Sequence, residues 1–252
     1  MRSRSLLLAV PVAALAVSAC TMQPPAQPAP TPTTTPSVVE KQPVRHETAD
    51  ALGRALTERL RTDSTSSFEF TATGAAFPVS GTGVTRLEPA GSSTQMTAVV
   101  EVPLLPVESD VVATGGQVYV ELPPAAGGDP AKPYVRVGPG GTDVISDALG
   151  PLVAVATSTD PAATVQTTIT SGRITGITED RVDGRPVLRY SLELPGTTGP
   201  LPATLVVDAD DRVLTSTTTT LVGGAPVTVT TTHTGHGQPV EIVVPPAELV
   251  RG

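Results

Sequence analysis

The chain has 252 residues, with 24 acidic against 16 basic side chains for a net charge of -8, one cysteine, no tryptophan and only 2% aromatic residues. The acidic balance argues against nucleic acid, whose phosphates need a Lys/Arg surface, and against electrostatic docking on anionic lipid. A single cysteine allows no intramolecular disulfide, so the fold must be held by a core of Val, Leu, Ile and Ala.

Met1 to Arg4 is a short basic start, and Ser5 to Val17 is an apolar stretch. The stretch is shorter than the ~20 residues a bilayer crossing needs. Val17-Ser18-Ala19-Cys20 follows, with the lone cysteine at its end. A charged start, a short apolar run and small residues form an export signal, and a branched residue, two small residues and Cys form a bacterial lipobox. An ordinary secretory signal with a chance cysteine is the alternative. The lipobox predicts cleavage before Cys20, which receives acyl chains such as palmitate. Two or more chains anchor firmly at ~0.8 kcal/mol per buried CH2. The expected location is therefore the outer face of the cytoplasmic membrane, in the cell envelope. The expected segments are residues 1–19 as signal peptide, 20–46 as lipidated Cys and Pro/Thr-rich linker, and 47–252 as one domain. Thr21 to Pro36 lacks any periodic apolar residue and reads as an extended spacer.

Leu52, Leu56 and Leu60 recur at four-residue spacing within Glu47 to Arg61, which predicts an amphipathic helix. Strands are predicted next over 67–72, 83–87, 95–102, 110–114, 117–122 and 134–137, with Gly115-Gly116 as a hairpin turn. Asp143 to Thr157 changes to helical spacing, with Leu149 and Val153 on its stripe and Gly150-Pro151 dividing it. Asp160-Pro161 reads as a helix start, running to about Ile169. Strands resume over 174–182, 186–194, 203–207, 213–221, 227–232 and 240–244, with Asp183-Gly184 as a second hairpin turn. The pattern predicts an α+β class: an antiparallel sheet of about ten strands that curls, with helices on part of its apolar face.

No constellation for catalysis is present. His233 and His236 are two ligands where metal sites need three or four, and they read as an exposed turn. Asp208, Asp210 and Asp211 lack the Gly and Glu of a calcium loop, their places held by Val213 and Thr219, and read as a charged hairpin turn between strands. Gly138-Pro139-Gly140-Gly141 lacks the Lys-Ser/Thr of a phosphate loop. No Gly-x-Ser-x-Gly elbow occurs. Neither an enzyme nor a cofactor or metal is expected.

Several segments in order resemble the LppX/LprA/LprF/LprG family of actinobacterial lipoproteins, related in fold to the LolA/LolB carriers. They are Ser67-Phe-Glu-Phe-Thr-Ala-Thr-Gly74, Val118-Tyr-Val-Glu-Leu122, Tyr134-Val-Arg-Val137, Glu179 to Gly184 with Tyr190, Leu201 to Asp208 and Gly237 to Ala247. The resemblance implies a strongly curved antiparallel half-barrel with helices on its concave face. It also implies a hydrophobic cavity for acyl chains of lipids or glycolipids, for carriage or presentation, with other envelope transport proteins as partners. Alternation in the strands and the stripe of the middle helix select the cavity candidates: Phe68, Phe70, Met96, Val100, Val118, Val120, Leu149, Val153, Leu188 and Tyr190. The acidic balance means that the ligand's headgroup need not be anionic. The same Val and Leu faces also fit a filled core, as in a structural or interaction lipoprotein with no ligand.

Overall fold

The computed structural model describes residues 40–252 apart from 75–77, 89–90, 102–105, 125–126, 138–164, 166–168, 197–198, 223–224 and 252. The leader, Cys20, most of the linker, the Gly138–Gly141 run and the expected helix over 143–157 lie outside the described residues, as does most of 160–169.

Helix α1 spans Ala49–Asp63. Its first turn is closed by Thr48, whose hydroxyl accepts from the Ala51 N–H at 3.2 Å, satisfying one orphan donor. Ser64 ends it in the left-handed region (φ 55), donating its N–H to the Leu60 carbonyl at 2.8 Å. Leu52, Gly53, Leu56 and Thr57 form its buried face.

Twelve strands follow: β1 (Thr65–Thr73), β2 (Val79–Glu88), β3 (Gly91–Val100), β4 (Val107–Thr114), β5 (Gln117–Glu121), β6 (Tyr134–Val137), β7 (Arg173–Val182), β8 (Arg185–Leu194), β9 (Leu201–Val207), β10 (Val213–Val222), β11 (Ala225–Thr234) and β12 (Val250–Arg251). They form one sheet in the order β12-β6-β5-β4-β3-β2-β1-β11-β10-β9-β8-β7. Two antiparallel meanders, β1–β6 and β7–β11, are joined where β1 pairs with β11, while β12 runs parallel to β6. Gly115-Gly116 (φ 56 and 74) and Asp183-Gly184 (φ 50 and 78) make two-residue turns that need positive φ at both positions.

These observations correct the expected α+β half-barrel of about ten antiparallel strands with helices on its concave face. The molecule is mainly β: a mixed, unclosed sheet of twelve strands, with one α-helix among the described residues. The physical reason is long-range pairing. Val250–Arg251 is too short to alternate and becomes a strand only by lying parallel to β6. Conversely, Val240 to Val244 alternates but pairs with no strand; Val243 donates its N–H to the Gln95 side chain at 3.0 Å.

Register places most of the apolar strand side chains on one face, while Val112, Val187 and Val206 are buried on the other. Phe68, Gly83, Met96, Val111, Val120 and Val135 form one row across β1 to β6. Two clusters occupy this face. The first joins Phe70, Ala72, Val79, Met96, Ala98, Val100, Val111, Val118, Val120 and Val137, with Phe68 against it. The second joins Leu188, Tyr190 and Leu192 of β8 and Ala203, Leu205 and Val207 of β9 with Leu52 and Leu56 of α1. The opposite face carries hydroxyl pairs between strands, including Thr217 with Thr230 and Thr219 with Thr228, each at 3.2 Å.

The end of α1 is fastened to the β9–β10 turn. Asp63 accepts from Arg59 Nε at 2.9 Å and from Arg212 Nε at 2.9 Å. Burial alone would raise this carboxyl, but the guanidiniums of Arg212 and Arg59 outweigh it, so its pKa lies below the ordinary 3.8. A depressed carboxylate contributes stability that is fully present above its unfolded value and is lost as pH falls through the folded one. Asp63→Asn is therefore expected to cost about 2 kcal/mol at pH 7. It should also flatten the loss of melting temperature below about pH 4. Parallel melting curves from pH 7 to pH 2 for both proteins would contradict this.

Candidate functional site

The candidate site is the apolar face over β1 to β6. Its floor is made of small residues because β2 carries glycine at alternate positions. A Cβ on Gly83 would lie 2.5 Å from the Phe68 ring and 2.7 Å from Met96 Cβ. A Cβ on Gly81 would lie 2.9 Å from the Phe70 ring and would run into the Thr97 carbonyl. Glycine within a strand marks such close approach. The two rings sit over it with centroids 6.2 Å apart, tilted by 40°. Around them stand Ala98, Val100, Val111, Val118 and Val120, all buried, and Val118 and Val120 fully so. No charged side chain occupies the face-forming positions of β1 to β6.

Of the residues expected to line a cavity, Phe68, Phe70, Met96, Val100, Val118 and Val120 are brought together here. Leu188 and Tyr190 are on the same sheet face but in the second cluster, beneath α1. Leu149, Val153 and the lipidation candidate Cys20 lie outside the described residues. Alternation could not separate the two clusters, because the separation depends on where α1 lands.

Between the clusters the face turns polar at Thr231 and His233 of β11 and Ser216 and Thr218 of β10. His233 is not the exposed turn residue its sequence context suggests. Its ring lies 6.3 Å from Phe68, and burial, aided by repulsion from His236, pushes its pKa down to about 4. His236, 6.4 Å from His233 between ring centroids, is also lowered, chiefly by burial. Among the described residues no group of three His, Cys, Asp or Glu stands close enough to hold a metal ion.

Residues 40–48 run along the second cluster. The Tyr190 hydroxyl accepts the His46 N–H at 3.0 Å and donates to the Val44 carbonyl at 3.3 Å. The His46 ring meets Asp211 at 2.8 Å, Glu40 meets Arg181 at 3.2 Å, and Lys41 meets Asp210. Glu40–Gly252 forms one compact unit. Among the described residues no helix is long and apolar enough to cross a membrane.

An open groove of about 360 Å³ lies mainly on the opposite face, lined by Glu69, Thr71, Ser80, Thr82, Thr230 and Thr232. Its hydroxyl lining suits water better than an apolar chain.

No family model and no curated protein matches the chain.

Proposed function

We propose that this chain is an exported, lipid-anchored lipoprotein that holds the acyl chains of a lipid or glycolipid against the apolar face of β1 to β6. The observation that carries the reading is the makeup of that face: Gly81, Gly83, Ala98 and a run of valines, with Met96 and the two Phe68 and Phe70 rings as its larger side chains and no charge among them. Small aliphatic side chains give depth where bulky aromatics would fill it. Each methylene laid there contributes about 0.8 kcal/mol. Phe68 and Phe70, tilted over the β2 glycines, are the large side chains placed to move as a chain enters. Cys20 after Val17-Ser18-Ala19 supplies the anchor, and carriage or presentation in the envelope, with other transport proteins as partners, follows from that location. The reading requires no catalytic residue and no cofactor.

A second reading rests on the complete burial of Ala98, Val118 and Val120. A structural or interaction lipoprotein with a closed core would be built that way. Native extraction of the full chain from its membrane, followed by mass spectrometry, separates the two. A bound acyl lipid of defined mass is expected. A bare protein mass at every extraction condition favours the closed core. For the anchor, Cys20→Ala is expected to move the protein to the soluble fraction and to abolish incorporation of labelled palmitate. Continued labelling in the membrane fraction would overturn the anchor.

A further inference from the structure

The row that crosses the apolar face does not end at Val135. Arg251 of β12 pairs with Val135 in parallel register, so its side chain falls on the same face. The row therefore runs from Phe68 through Met96, Val111, Val120 and Val135 to a guanidinium. At about 4.8 Å per strand it is about 29 Å long.

Nε and Nη2 of Arg251 are buried and have no hydrogen-bond partner among the described residues. Other arginines with a described role are paired: Arg59 and Arg212 on Asp63, Arg181 on Glu40, Arg189 on Asp180, Arg173 on Glu193. A guanidinium cannot lose its proton to escape burial. An unpaired buried charge is costly, and that cost is relieved when an anion pairs with it. The planar fork of Nε–H and Nη–H suits two oxygens of one carboxylate or phosphate.

We infer that Arg251 is an anion-binding residue at the end of the apolar face, and that it selects amphiphiles whose headgroup is a carboxylate or a phosphate. This rests on the acyl-binding reading and makes it more specific. It also goes beyond the expectation, drawn from the acidic balance, that the headgroup need not be anionic. The net charge is a property of the whole chain, whereas the headgroup would meet one cation whose Nε and Nη2 are buried.

The test uses the full chain, exposed to an equimolar mixture of palmitate, hexadecyl phosphate and hexadecanol, with bound species read by native mass spectrometry. The wild type is expected to retain the two anions at least about 10-fold over the alcohol. Arg251→Gln is expected to bring that ratio close to one while hexadecanol is still bound. Arg251→Lys keeps the charge and should keep part of the preference. An unchanged preference in Arg251→Gln, or none in the wild type, overturns the inference and leaves acyl binding intact. Equal losses in Arg251→Gln and Arg251→Lys also overturn it. Displacement of both anions by an equal concentration of inorganic phosphate would mean an ion site without selectivity for amphiphiles, and would overturn it too. If the wild type retains none of the three probes, the acyl-binding reading falls, and this inference with it.

Discussion

Gly81→Ala should lower the melting temperature by about 6–12 °C. The added methyl has no room to relax. It would meet the Thr97 carbonyl, which is backbone, and the Phe70 ring at 2.9 Å. Gly81 pairs with Ala98, so β2 cannot retreat without breaking the ladder to β3. Overpacking of this kind costs about 3 kcal/mol. For a domain of this size each kcal/mol moves the midpoint by about 2–4 °C. Gly176→Ala is the control: the nearest atom there is Ser191 Cβ at 3.8 Å, so the change should be close to neutral. If differential scanning calorimetry gives the two variants the same midpoint, the rings do not rest on the glycine floor in solution.

Val120→Trp tests the same face from its centre. Val120 is fully buried and stands in the row between Val111 and Val135. Where the face takes an acyl chain, the indole occupies the chain's place. Acyl occupancy should then fall at least about 10-fold, a loss of about 1.4 kcal/mol or more in binding. The melting temperature of the ligand-free protein should fall by only a few degrees. Where the face is a filled core, the indole has no space, and the cost should reach about 3 kcal/mol or more. A folded variant that binds as much lipid as its parent would remove this face from consideration. A collapse in stability, from a parent that carries no lipid, would favour the structural reading.

Legibility of the fold divided along the range of the interactions. Gly115-Gly116 and Asp183-Gly184 were readable because a two-residue hairpin needs those residue types locally. The Leu52/Leu56/Leu60 spacing announced α1 for the same reason. The Asp208 turn was also local: its carboxylate accepts from the N–H groups of Asp210 and Arg212 at 2.8 and 2.9 Å. What escaped was partner choice. Nothing within Val250-Arg251 says that it lies parallel to Tyr134-Val135. Nothing within Val240 to Val244 says that it does not pair. At the site, alternation found Phe68, Phe70, Met96, Val100, Val118 and Val120 as one face. It could not see that α1 would set Leu188 and Tyr190 apart, or that His233 would stand half-buried beside Phe68. The Gly81/Gly83 spacing in β2 was the overlooked signal, since alternate glycines in a strand mark a place where something else comes close.

The connection of α1 has a consequence for the order of assembly. The helix is covalently joined to β1, yet its Leu52 and Leu56 pack on β8 and β9 of the other meander. Each meander can form from hairpins between neighbours in sequence. The β1–β11 seam, where Phe68 faces His233, must wait until both exist. Contacts between distant parts of a chain are slow to form, because loop-closure entropy is lost before they contribute. A chain that emerges from its N-terminus first therefore presents α1 early, with an apolar stripe and no surface to receive it. Docking of that stripe and closure of the seam both require the second meander, and until it forms the exposed leucines are expected to be a site for chaperone capture or self-association.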